Sequence, residues 1–165
     1  MIFVNFKTYE QATGERALDL VKVLEGCSEE SQTKIIPVLQ ASDLKEASLM
    51  TKLEIWTQHI DPVTFGAHTG SILPEAVKED GANGVFLNHS EHKFNNFDDL
   101  THAVLRAKEV GLKTLVFAGD LEELKKILTL RPDFASYEPP ELVGSTTTSV
   151  AEAKPEVVAK AVEIA

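Results

Sequence analysis

Lys113-Thr114-Leu115-Val116-Phe117-Ala118, Leu121 to Leu130, and Asp133-Phe134-Ala135-Ser136-Tyr137 decide the fold. The first run is almost wholly apolar after Lys113, as expected of a strand covered on both faces. The middle segment has helical length, and the last is again a short apolar run. Strand, helix and strand in that order predict a parallel pair joined by a crossover helix. The same unit recurs upstream. Ile2 to Phe6, Lys34 to Leu39, Leu53 to His59 and Val85 to Asn88 read as strands. Between them lie helical segments. Thr13 to Leu24 has Thr13 as N-cap and ends at Gly26; Ser42-Asp43 opens a short helix through Leu49. Pro74 to Lys78 begins at a proline, a favoured first position, and Phe97 to Val110 stops at Gly111. Downstream, Lys154 to Ala165 forms a last helix with Pro155 in its first turn.

Six consecutive strand-then-helix units imply an α/β parallel sheet. Alternation leaves open whether that sheet is doubly wound or curls toward a barrel. Both architectures place function at the carboxyl ends of the strands.

The totals narrow the function classes. At 165 residues the chain is long enough for one domain with a proper core, and 43% hydrophobic with 25% charged residues are globular values. No apolar run reaches the length of a membrane span, and the N-terminus lacks a signal-peptide pattern. Cys27 is the lone cysteine, so no intrachain disulfide framework exists; the expectation is a reducing, cytoplasmic setting. A net charge of −10 argues against nucleic-acid binding. It also means that an anionic substrate would need local cations or oriented backbone N–H groups. The five histidines, His59, His68, His89, His92 and His102, lack metal-ligand spacing, and no metal site is expected. Trp56 reads as core.

Three strand ends carry ionisable groups. Asn5 and Lys7 are two apart and share a face of the first strand. Asn88-His89-Ser90-Glu91 closes the fourth strand, and Glu138 closes the sixth. Taken singly, a strand-end lysine is most often a solvated charge, and a lone histidine a structural hydrogen bonder. Together the three ends offer an ammonium, an imidazole and a carboxylate on one rim, a set suited to moving a proton beside a carbonyl. After Glu138 come Pro139 and Pro140, which restrict the backbone, then Glu141, Leu142, Val143, Gly144 and the hydroxyl run from Ser145 to Ser149. That order suggests a segment that moves as one piece on hinges.

These motifs resemble the triosephosphate isomerase family in its short archaeal form. The resemblance is carried by Asn5-Phe6-Lys7, by Gln58-His59-Ile60-Asp61 and by Phe65-Gly66-Ala67-His68-Thr69-Gly70. It continues through Leu87-Asn88-His89-Ser90-Glu91, Tyr137 to Gly144 and Ala153-Lys154-Pro155-Glu156. It implies a TIM (β/α)8 barrel and the cofactor-free interconversion of dihydroxyacetone phosphate and glyceraldehyde 3-phosphate through an enediolate. It further implies Glu138 as base, His89 as the group polarising the carbonyl, and Lys7 as the cation offsetting enediolate and phosphate charge. Asn5 would orient substrate, with Glu91 and Ser90 supporting these groups. Pro139 to Val143 would be a lid, and Gly144 and Ser145 phosphate contacts at its far hinge. Thr69 would approach the pocket of a neighbouring subunit, implying a homo-oligomer, dimer or tetramer.

Two departures from the family pattern stand out. His92 and Lys93 follow Glu91 where the family often has arginine, which puts one surface ion pair in question. The other is length. The 165 residues are expected to hold about six of the eight βα units as one incomplete barrel domain, without the seventh and eighth strands and their phosphate loops. The expectation is therefore an isomerase. The alternatives are an inactive barrel fragment serving as an assembly partner and a module that binds a sugar phosphate without turning it over.

Overall fold

The structure is a computed structural model that describes residues 1–138 and 155–164. Six parallel strands form one sheet in chain order: β1 (Ile2–Asn5), β2 (Ile35–Leu39), β3 (Trp56–Thr57), β4 (Gly84–Leu87), β5 (Lys113–Ala118) and β6 (Phe134–Tyr137). The helices are α1 (Glu15–Ser31), α2 (Leu44–Met50), α3 (Pro74–Glu79), α4 (Phe97–Glu109), α5 (Leu121–Leu128) and α6 (Pro155–Ile164). Among the described residues no helix is long and apolar enough to cross a membrane.

The sheet is curled. Neighbouring strands lie about 4.8 Å apart, so five steps across a flat sheet would separate its edges by about 24 Å. Yet the ring of Phe3 on β1 meets that of Phe134 on β6 at a centroid distance of 5.6 Å. Side-chain alternation then produces two apolar layers. On β5, Leu115 and Phe117 point inward with Ile36, Val38, Trp56 and Phe86, while Val116 and Ala118 join the layer beneath the helices. Burial on both faces is why these strands read as continuous apolar runs.

The amino-terminal end of the curl is closed by Trp56. Its ring is fully buried, and its Nε1–H donates to Glu54 Oε1 at 3.0 Å. Glu54 also binds Lys34 at 2.5 Å and Lys113 at 3.2 Å. Despite the opposing effect of burial, these donors hold its carboxyl at about 2. Gly84 makes the packing possible: a Cβ there would stand 2.3 Å from the indole.

Local differences from the sequence reading have physical causes. Helix α1 runs through Gly26 to Ser31. A single glycine costs a helix only about 1 kcal/mol against alanine, which the packing of a long helix offsets. Gln32, at φ 54°, supplies the left-handed stop expected of Gly26. Thr13 is no N-cap; its hydroxyl donates to Tyr9 O at 2.9 Å and Gly14 occupies the capping position. Strand β3 has two residues instead of seven. Helix α5 ends two residues before Leu130, at Leu128.

Gly84→Ala is expected to lower unfolding stability by about 1–3 kcal/mol through overpacking against Trp56. Urea denaturation would show a reduced midpoint with an unchanged slope; an unchanged midpoint would contradict this packing.

Candidate active site

Lys7 emerges from β1 in a left-handed conformation, φ 49°, that few residues other than glycine adopt. Two side chains hold it there. Asn5 Oδ1 accepts from the Lys7 N–H at 3.0 Å. From the end of β3, Gln58 Nε2 donates to Lys7 O at 2.9 Å and to Val38 O at 3.3 Å. The strained turn carries the Lys7 ammonium to Glu91 Oε1 at 2.7 Å. Hydrogen bonding to Glu91 raises Lys7 above the ordinary lysine range.

His89 follows Asn88, itself left-handed at φ 62°, at the end of β4. The Glu91 N–H donates to His89 Nδ1 at 3.2 Å. An accepting Nδ1 places the proton of the neutral ring on Nε2. Burial lowers the imidazole below its usual value; Glu91 opposes that shift and Lys7 adds to it. The ring packs edge-on against Phe117 at 4.9 Å.

Glu138 lies one residue beyond β6 and continues the ladder, its N–H donating to Ala118 O at 2.8 Å. Its Oε2 is 3.7 Å from His89 Nε2. That oxygen is buried and has no hydrogen-bond donor among the described residues. Burial raises the carboxyl above its ordinary range, Lys7 works against this and Glu91 adds to it. A half-buried carboxylate of raised pKa beside a neutral imidazole N–H is an arrangement of base and electrophile.

The three ionisable groups predicted to share a rim do so. A cavity of about 610 Å³ opens beside them, lined by Asn5, Lys7, Gln40, Gln58, His89 and Glu91 among others. It lies toward the β1–β3 side, and Glu138 stands outside its lining. Glu91 is beside Lys7 as expected, and Ser90 Oγ is buried without a hydrogen-bond partner among the described residues. Thr69 is exposed in a projecting loop, closed at its neck by Asp61 N–H donating to Ile72 O at 2.9 Å. Pro139, Pro140, Glu141, Leu142, Val143, Gly144 and Ser145 lie outside the described residues. Lys93 supplies an ion pair of its own, reaching Glu123 at 2.7 Å. His59 and His92 meet edge-on at 4.2 Å, but among the described residues no cluster of three or more His, Cys, Asp or Glu could hold a metal.

Gln58 is the residue whose role the sequence reading missed. It lies one residue beyond β3 on the same rim as the others, and its bond to Lys7 spans 51 residues, which no local pattern reports. Asn5 commits its side-chain oxygen to the Lys7 backbone.

Comparison with known proteins agrees with this geometry. The family described as triosephosphate isomerase matches residues 1–165. The chain is 42% identical to triosephosphate isomerase of Methanobacterium bryantii, covering 99% of this chain and 71% of that protein. It is 43% identical to that of Methanothermus fervidus, covering 99% and 72%. Against that of Saccharolobus solfataricus it is 40% identical, covering 99% and 71%. A crystal structure of triosephosphate isomerase from Bartonella henselae superposes with a TM-score of 0.70 over 96% of this chain and 74% of that one. At 24% identity that likeness speaks to the fold alone.

NMR titration of the histidine rings is expected to place His89 below the ordinary value of about 6.5. Glu91→Gln removes the carboxylate that opposes the shift and lowers His89 further. A His89 that titrates at or above the ordinary value, or rises in Glu91→Gln, would contradict these electrostatics.

Proposed function

The chain belongs to the triosephosphate isomerase family, and from that premise we propose how its residues divide the interconversion of dihydroxyacetone phosphate and glyceraldehyde 3-phosphate. Glu138 removes the proton α to the carbonyl. His89 donates its Nε2–H to the carbonyl oxygen, then passes protons between the two enediolate oxygens. The Lys7 ammonium offsets the charge of enediolate and phosphate. The observation that supports this division is the facing pair Glu138 Oε2 and His89 Nε2, 3.7 Å apart, with Lys7 anchored on the same rim.

The electrostatics suit each role. A base works best when its pKa approaches the working pH, and burial moves Glu138 in that direction. An imidazole kept neutral by burial can donate Nε2–H without first losing an ammonium-like charge. Lys7 is a fixed local cation in a chain of net charge −10, which answers the repulsion an anionic substrate meets. Asn5 contributes by holding Lys7 in its left-handed turn, and its remaining amide group by contact with substrate.

The same reading extends to the remaining groups. Pro139 to Val143 form a lid that excludes water from the enediolate, which would otherwise lose phosphate by elimination. Backbone N–H groups at Gly144 and Ser145 meet the phosphate. Glu91, with Ser90 between it and His89, keeps His89 and Lys7 in register through its carboxylate and its backbone N–H. The protein works in the cytoplasm as a homo-oligomer, dimer or tetramer, with Thr69 approaching a neighbour's pocket. Residues 1–165 belong to one domain of the barrel family, and the chain spans about 71% of the relative from Methanobacterium bryantii.

A coupled assay with glyceraldehyde 3-phosphate tests the division of labour. Wild type is expected to turn over, with kcat reduced about 10²–10⁴-fold in Glu138→Gln. Activity should fall as pH drops through the raised Glu138 value, because only the carboxylate accepts the proton. Equal rates for wild type and Glu138→Gln would overturn the assignment.

A further inference from the structure

Behind His89 lies a polar hub that the reaction itself does not use. Asn88 is buried at the end of β4 in a left-handed conformation. Such a backbone persists only where its surroundings hold it. Its Nδ2 donates to Phe117 O at 3.0 Å and to Glu123 Oε1 at 2.8 Å, and its Oδ1 accepts from Phe94 N–H at 3.3 Å. Glu123 stands in the first turn of α5, its own N–H donating to Asp120 Oδ1 at 2.7 Å. Its Oε2 accepts from Gly119 N–H at 2.7 Å, and Lys93 Nζ reaches both oxygens at 2.9 and 2.7 Å.

One carboxylate thus joins three places: the residue before His89, the loop that follows His89, and the end of β5. A simple helix cap needs only the Asp120 contact. Three further donor contacts on Glu123, one from Asn88 and two from Lys93, lead toward the turn that carries the imidazole. The Phe117 carbonyl bound by Asn88 belongs to the same residue whose ring packs on His89.

We infer that Glu123 is a positioning residue for His89: through Asn88, Gly119 and Lys93 it locks the turn after β4 so that Nδ1 meets the Glu91 N–H and Nε2–H faces Glu138. This rests on the proposed role of His89 as the group that polarises the carbonyl. Without Glu123, Asn88 loses one of the three anchors of its left-handed turn, and the imidazole gains freedom to rotate and to exchange its proton between the two nitrogens.

The test combines ¹⁵N NMR of the imidazole nitrogens with steady-state kinetics on the full chain. Wild type is expected to show one tautomer, with the proton on Nε2. Glu123→Ala should show averaged ring-nitrogen signals, with kcat down about 10–100-fold and KM changed less than about threefold, the pattern of misplaced chemistry. Asn88→Gly keeps the left-handed backbone while cutting all three side-chain bonds, and should reproduce these changes even where Glu123→Ala fails to fold. Ring signals and kcat equal to wild type in a folded variant would overturn the inference and leave Glu123 as a helix cap. If wild type itself does not turn over the triose phosphate, the functional reading fails, while the ring signals still decide the positioning of His89.

Discussion

The contact of Phe3 with Phe134 across the inside of the sheet is the constraint on which the rest depends. The two rings sit on the first and last strands of the order β1 to β6. Their apolar contact, shared with Trp56 at 6.0 Å from Phe134, holds the curl that brings those ends together. Lys7 follows β1 and Glu138 follows β6. In a flat sheet they would stand at opposite edges; in the curled one Lys7 lies close enough to act on the Glu138 carboxyl. The aromatic interior is thus the physical cause of the active-site geometry.

Placing three ionisable groups on one partly buried rim sets their protonation states without further machinery. Burial disfavours charge, so the carboxyl of Glu138 moves up and the imidazole of His89 moves down. Lys7 escapes that fate because Glu91 is hydrogen-bonded to it. Glu91 also anchors His89 by its backbone N–H, so one residue fixes both the cation and the tautomer. The cost is local strain at Lys7 and Asn88, the first bound by amide side chains and the second by a half-buried carboxylate.

Much of this was legible in the sequence because it rests on short-range patterns. Apolar strand runs, prolines at helix starts and the strand-end rule located all six strands and brought Lys7, His89 and Glu138 together. The departures arise where tertiary packing overrides local preference. Gly26 reads as a stop, yet α1 continues past it. Gln58 and Glu123 were hidden because their work is done across distances of 51 and 35 residues, on Lys7 and Asn88. No local pattern reports such a bond, although Asp120 and Glu123 do carry the spacing of a capping box. The curl itself, left open by strand alternation, follows from which residues face inward on every strand.

The central claim is that Glu138 exchanges a carbon-bound proton of the substrate while His89 and Lys7 hold the enediolate. It is tested most directly by incubating dihydroxyacetone phosphate with the chain in D₂O and following its hydroxymethyl signal by ¹H NMR. The account predicts enzyme-dependent incorporation of deuterium at that carbon with wild type and none above background with Glu138→Gln. Incorporation at equal rates in both proteins, or none with wild type, would contradict it.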